Sequence, residues 1–299
     1  MSFVKNKIKF LIIPVIIILA GIVAYFVNGG FNFDIEFQGG TRMQVAIGQD
    51  FNNDEIKSLV KEKAGVDAVV QKSGSDVVIK TTASEEKVKN DIFAALKEKY
   101  GLGDEALIQA SSASPSFGKE TQGKAFIYTL IAILCILAYI AIRFEWRSAI
   151  MAVITLVINV LVMLAVYAIA YIPLNTTFIA AMLTVVGYSI NNTIVIFDRI
   201  RENVKFGAGK RDYSISNTVD KSIWSSMGRT INSTITTLIT IVLLYILGVD
   251  AIKAFALPLI IGILAGAYSS ITIAGPFWAS WKEAERKAKM EKIQANKKK

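Results

Sequence analysis

No histidine occurs in the 299 residues, and cysteine occurs once, as Cys135. Without histidine the usual hydrolytic triads cannot be assembled. Neither a CxxC pair nor an HExxH helix is present, so no transition-metal site is expected. A lone cysteine excludes a disulfide within the chain. The GxxxxGK[ST] of a phosphate loop and the glycine fingerprint of a dinucleotide fold are both missing, so neither a nucleotide nor another cofactor is expected. These absences disfavour an enzyme. If the chain drives transport, the energy comes from an ion gradient or from a partner.

Charge is also missing, over six long stretches: Phe10–Val27, Ala125–Ile142, Ser148–Tyr171, Leu174–Phe197, Thr230–Val249 and Ala254–Trp281. Each is long enough to cross a bilayer. With 53% hydrophobic residues and a mean hydropathy of +0.48, the chain is too apolar for one soluble domain of this length. Six transmembrane helices are expected. The opening "MSFVKNKIKFLIIPVIIILAGIVAYFVNGG" has the basic start of a signal peptide, but its apolar run is too long and no clear cleavage site follows. It reads as a retained signal anchor.

The basic residues are one-sided. Lys5, Lys7 and Lys9 precede the first span, and Arg143 and Arg147 lie between the second and third. Seven more, from Arg199 to Arg229, separate the fourth and fifth, and the tail from Trp281 carries another eight. The alternate loops "YIPLN" and "GVDAIK" hold one lysine between them. The positive-inside rule then places both termini in the cytoplasm. Residues 29–120 carry eleven basic and fifteen acidic residues, so the net charge of +9 is topological and nucleic acid is not an expected partner. The basic tail is expected near anionic lipid or ribosome-proximal partners, or equally as a plain solvated helix.

The expected organisation is a cytoplasmic start with the first helix at 1–28 and an extracytoplasmic domain at 29–120. A five-helix membrane bundle follows at 121–281, with a cytoplasmic loop at 198–229, and a basic tail ends the chain at 282–299. Within 29–120, "FDIEF" and "TRMQVAI" read as strand around Gly39-Gly40, and "NNDEIKSLVKEKAG" as a helix with an Asn/Asp cap. "DAVVQK" and "DVVIKTT" read as a hairpin about "SGS". "SEEKVKNDIFAALKEKYG" is a second helix capped by Ser84 and closed by Gly101, and "EALIQAS" a last strand. The order β-α-β-β-α-β suggests a ferredoxin-like α+β module. "SSASPSFGKETQGK" reads as a flexible linker. The fold class is thus a six-helix transmembrane bundle with an inserted ferredoxin-like α+β domain.

Polar residues inside the spans are the candidate site. Thr184, Tyr188 and Asn191/Asn192 recur at helical spacing in the fourth span; Thr230, Ser233/Thr234, Thr237 and Thr240 do so in the fifth. Amides and hydroxyls in lipid need partners, so the two faces are expected to meet each other or a partner helix. Gly262 and Gly266 form a GxxxG in the sixth span, continued by Ser270, which favours close helix contact. Plain packing also accounts for all of these. "DRIREN", Asp198 to Asn203, falls where the fourth helix is expected to leave the membrane. There Asp198 with Arg201 and Glu202, three and four residues on, suits a local ion-pair cluster, and Arg199 and Arg201 serve as topology anchors. Gly39-Gly40 permits a turn or bulge.

"DIEFQGGT" after the first span, "GYSINNTIVIFDRIREN" in the fourth and "GRTINSTITTL" opening the fifth resemble the SecD/SecF family of protein-export membrane subunits, within the resistance-nodulation-division superfamily. The resemblance implies that this chain takes the SecF part of a heterodimer with SecD. The complex would stand beside the SecY channel and use a proton or sodium gradient to help draw unfolded secreted chains outward. In the family pattern the second residue of the Asn pair is usually Asp; here it is Asn192, which cannot titrate. The Arg resembling the family's functional arginine remains, as Arg229. Asp34 and Glu36 stand where the family has Gly and Asp. Two other functions stay open: a half-transporter of the same superfamily for lipid or small hydrophobic molecules, and a scaffold for SecD that conducts no ions.

Overall fold

The computed structural model describes residues 2–143, 145–207 and 213–297. They form two compact units, one of residues Met1–Gly30, Thr129–Tyr171 and Thr177–Lys299, the other of Phe31–Tyr128 and Ile172–Thr176. In chain order the helices and strands are α1 (Lys7–Val27), α2 (Ile35–Gln38), β1 (Gly40–Ala46), α3 (Asn53–Ala64), β2 (Ala68–Ser73), β3 (Asp76–Thr81), α4 (Glu86–Tyr100) and β4 (Leu107–Ala113). Then follow α5 (Pro115–Arg143), α6 (Trp146–Ala170), α7 (Thr176–Gly207), α8 (Ile215–Leu247), α9 (Asp250–Ser269), a π-helical turn (Ser270–Ala274) and α10 (Gly275–Lys297).

The first unit is helical. Five stretches among the described residues are long and apolar enough to cross a membrane: Lys7–Val27, Trp146–Ala170, Thr176–Phe206, Ile215–Leu247 and Ala251–Asn296. The second expected span falls on α5, where the apolar run is the shorter Ile127–Ile136. The chain is therefore of the helical membrane type, with several apolar helices. The stretch 198–229, expected as a loop, is helical over 198–207 and 215–229. The reason is visible in its side chains, because this part of α7 and α8 still buries Ile200, Ile215, Val219 and Ile223. An apolar stripe at helical spacing extends both helices past their uncharged runs.

Close approach of helices is set by small residues. A methyl group on Gly21 would lie 2.4 Å from Cβ of Ala165, so α1 crosses α6 nearly backbone to backbone. Pro14 lacks the N–H that would bond the carbonyl of Phe10 within α1. The hydroxyl of Tyr268 donates to that carbonyl at 2.8 Å instead. At the start of the chain, the Asp220 carboxylate on α8 accepts the N–H groups of Phe3 and Val4 at 2.8 and 3.1 Å and the hydroxyl of Ser2. Phe3 stacks on Phe10 and meets Trp224, which buries it.

The second unit carries a four-stranded antiparallel sheet in the order β2-β3-β1-β4. Alternation along β1 and β3 brings Met43 opposite Ile79 and Val45 opposite Val77, and all four are buried. Ile56 and Val60 of α3 and Ile92 and Leu96 of α4 complete that core. Asn52 caps α3 by accepting from the Asp54 N–H at 2.8 Å, and Gly65 and Gly101 end α3 and α4 in the left-handed conformation.

Three expectations for this unit are corrected. "DIEF" is not strand: the Asp34 carbonyl accepts from Phe37 and Gln38 N–H at 2.9 and 3.1 Å, which winds the segment into α2. Glu85, not Ser84, occupies the cap position of α4, and it makes no capping hydrogen bond through its side chain. The expected linker is structured in its backbone, with Ser111–Ala113 in β4 and helix from Pro115. Proline at the first helical position gives up an N–H that has no intrahelical partner anyway.

Gly39 and Gly40 both have positive φ, and a Cβ on Gly40 would sit 2.1 Å from the Thr81 carbonyl oxygen. Gly74, in the hairpin turn, has positive φ but open space around it. Gly40→Ala is therefore expected to destabilise this unit by about 3 kcal/mol and Gly74→Ala by only about 1 kcal/mol. Thermal unfolding of the two purified variants checks the ranking, and equal losses would contradict it.

Candidate functional site: a polar seam between helices

The helical unit contains a buried hydrogen-bonded cluster. The Asn159 amide on α6, 1% exposed, donates from Nδ2 to Ser189 Oγ on α7 at 2.6 Å, and its Oδ1 accepts from Ser269 Oγ on α9 at 2.6 Å. One residue on, Ser270 Oγ lies 2.8 Å from Thr193 Oγ1. Consecutive residues point about 100° apart on a helix, so Ser269 and Ser270 reach two different helices. They sit where α9 gives way to the π-helical turn. Gly266 makes room, since a Cβ there would be 3.0 Å from Ser189 Oγ. A Cβ on Gly262 would meet the Val185 side chain at 2.5 Å and Met163 Sδ at 2.7 Å. The two glycines thus bring α9 onto α6 and α7.

Asn159, Thr193 and Ser269 were not among the residues that the sequence singled out. A signal was present, because Asn159 is the single amide in the apolar stretch Ser148–Tyr171. A lone amide carries no periodicity, so pattern reading passes over it.

A second seam joins α7 to α8. Tyr188 OH donates to Thr237 Oγ1 at 3.3 Å. Nearer the basic end, Arg199 Nε donates to Ser225 Oγ at 3.3 Å and Asn203 Nδ2 to Ser222 Oγ at 2.8 Å. Between these levels lie Asn192 on α7 and Thr230 and Thr234 on α8, exposed by only 2%, 2% and 6%. Asn192 Nδ2, Thr230 Oγ1 and Thr234 Oγ1 have no hydrogen-bond partner among the described residues. A buried polar atom left unpaired costs about 1–3 kcal/mol, so this stretch is primed for a partner.

The remaining candidates are placed as follows. Asn191 is exposed, so the asparagine pair splits, one amide inward and one outward. Thr184 is exposed and bonds back to the Ala180 carbonyl at 2.9 Å, so the four-residue face of the fourth span narrows to Tyr188 and Asn192. Arg229 is exposed and makes no ion pair among the described residues. The expected ion pairing of Asp198 with Arg201 does not form; the pair is Arg199 with Glu202 at 2.5 Å. The Arg199 side chain lies across both Glu202 and Ser225, which draws the carboxylate of Glu202 into that junction.

In the other unit, Asp34 is buried and ion-paired to Lys80 at 3.0 Å. Its N–H donates to the Leu174 carbonyl at 2.8 Å, and the Glu36 carboxylate accepts the Thr176 N–H at 2.8 Å. Both acidic residues therefore hold the stretch 174–176, where α7 begins.

Several long apolar helices with a hydrogen-bonded polar cluster in their interior, in one chain with a small antiparallel α+β unit, define a helical membrane protein. The family described as "Protein export membrane protein SecD/SecF, C-terminal" matches residues 92–284, and the chain belongs to this family. It is 35% identical over 276 residues to the protein translocase subunit SecF of Alicyclobacillus acidocaldarius, covering 91% of this chain and 89% of that one. It is 32% identical to the protein translocase subunit SecDF of Bacillus subtilis, covering 96% of this chain but 39% of the relative. The crystal structure of SecDF from Thermus thermophilus, titled a translocon-associated membrane protein, superposes with a TM-score of 0.84 at 26% identity. That match covers 95% of this chain and 39% of that one.

Asn159→Ala is expected to strand Ser189 and Ser269 and lower stability by about 2 kcal/mol, whereas Thr184→Ala, at an exposed site, changes it by less than about 0.5 kcal/mol. Thermal unfolding in detergent compares them. An Asn159→Ala protein as stable as the parent would remove the seam from the structural account.

Proposed function

We propose that the chain is the SecF-type subunit of a Sec protein translocase, acting with SecD to promote ion-gradient-driven export across the plasma membrane. One observation carries this reading: the likeness to a protein translocase subunit SecF extends along nine-tenths of both chains. Relatives in which one chain bears the name SecDF support SecD as the partner. The SecY channel and the unfolded secreted polypeptide follow as further partners, with membrane lipid around the bundle. The chain is not an enzyme on this reading.

The finer architecture belongs to the same proposal. Counting α5 with the five longer helices makes six spans, and the β-α-β-β-α-β order with sheet order β2-β3-β1-β4 supports a ferredoxin-like domain. Residues 29–120 then lie outside and both termini inside, because Lys and Arg concentrate on alternate connections. Two cysteines introduced singly into a Cys135→Ser background test this. Ser75→Cys, in the exposed hairpin turn, should react with an impermeant maleimide added to intact cells, and Asn217→Cys should not. Outside labelling of position 217 would overturn the orientation.

For the mechanism, the seam between α7 and α8 is the proposed ion path. No Asp or Glu lies in the six uncharged stretches, so this chain offers no carboxylate at membrane depth. An amide keeps two donors and an acceptor, enough to bridge helices or lend one oxygen to a sodium ion. Coupling therefore rests on a carboxylate supplied by SecD, with Asn191, Asn192 and Arg229 as non-titrating partners. The missing carboxylate also favours a second reading, a scaffold for SecD that conducts nothing. Asn192→Ala should reduce export by a few-fold at most and leave its pH dependence where it was, while Asn192→Asp should be tolerated. Export assays across pH in cells expressing each variant with SecD decide this. Loss of all ion flux from an intact Asn192→Ala complex would refute the supporting role.

A further inference from the structure

A cavity of about 420 Å³ opens between the start of α6, the far end of α7 and the start of α10. Phe197, Ile200, Val204 and Trp278 give it an apolar floor, and Arg201 and Lys205 stand in its wall. These two cations are four residues apart on α7, where like charges repel and destabilise the helix. Neither makes an ion pair among the described residues.

The acidic groups nearby are engaged elsewhere or out of reach. Glu145, also in the wall, is held by Lys282 at 2.8 Å and approached by Arg147 at 3.9 Å. Glu202 is taken by Arg199, Glu285 by Arg147 at 2.6 Å, and Asp198 makes no ion pair with Arg201. On the floor, Trp278 is 4% exposed, and its buried Nε1–H has no partner among the described residues. Two cations without ion pairs among the described residues thus stand over one apolar hollow, beside the point where α7 passes from its uncharged run into "DRIREN".

We propose that this cavity is a binding site for an anionic phospholipid. Its phosphate rests on Arg201 and Lys205, and the acyl chain lies on the apolar floor that Trp278 helps to form. The floor separates a lipid from free phosphate, which gains nothing from Phe197 or Val204. Basic pockets at the ends of membrane helices recognise lipid headgroups through this combination of charge and apolar contact. The proposal needs the chain to sit in a bilayer and is independent of the export reading.

The test uses the full chain, purified in detergent, delipidated, and titrated separately with phosphatidylglycerol, phosphatidylcholine and millimolar inorganic phosphate while its thermal midpoint is followed. Phosphatidylglycerol alone should raise the midpoint, saturating at one lipid per chain. Arg201→Gln/Lys205→Gln should weaken that affinity about tenfold or more, at an unchanged lipid-free midpoint. Lys287→Gln/Lys289→Gln, removing two other exposed charges, should leave the affinity as it is. Should the double variant fold poorly, Lys205→Gln alone, at an exposed and unpaired position, is expected to weaken binding about threefold. Equal binding by the parent and its Arg201/Lys205 variants, an equal response to phosphatidylcholine, or a phosphate response matching that of the lipid would each overturn the assignment. Secretion is not read out, so failure here leaves the export reading untouched.

Discussion

In hydrocarbon there is no water to receive an amide or a hydroxyl, so every polar group that enters the membrane helices must be met by protein. That constraint organises the helical unit. Asn159 has its amide used at both ends by serines from two other helices, and serine and threonine hydroxyls elsewhere turn back to carbonyls of their own helix. The same demand explains how α1 tolerates Pro14. The carbonyl released by the missing N–H is collected by Tyr268, so a break inside one helix becomes an attachment to another.

Against this background the unpaired atoms carry more information than the paired ones. Asn192, Thr230 and Thr234 are buried to nearly the same degree as Asn159, yet Nδ2 and the two hydroxyls lack partners among the described residues. The lower part of the same two helices is stitched by Arg199 and Asn203, and the upper part by Tyr188. The seam is closed at both ends and unsatisfied in the middle.

Much of this was legible in advance, for identifiable reasons. Uncharged runs of bilayer length locate helices because burying charge in lipid is so unfavourable, and alternation in Met43–Val45 and Val77–Ile79 fixes the inner face of the sheet. The Asn52 cap and the glycines closing α3 and α4 are local signals and were readable as such. What stayed hidden depended on partners distant in sequence. Asp34 winds "DIEF" into a helical turn, where the alternation of its side chains had suggested strand. Arg199 closes on Glu202 because Ser225, from the next helix, holds its other edge. Asn159 has no neighbour of its kind in its own helix, and its meaning comes wholly from α7 and α9.

The clamp at the chain start has a consequence for biosynthesis. Asp220 receives the N–H groups of Phe3 and Val4 across a sequence separation of 217 and 216 residues. Phe3 and Val4 lie in the turn before α1, and they are made well before Asp220, which lies in the second turn of α8. At roughly 5–20 residues per second the first turn waits on the order of 10–40 seconds with its donors facing water. The turn before α1 therefore sets only once the start of α8 has been made, and residues 2–4 act as a latch that closes on a later helix.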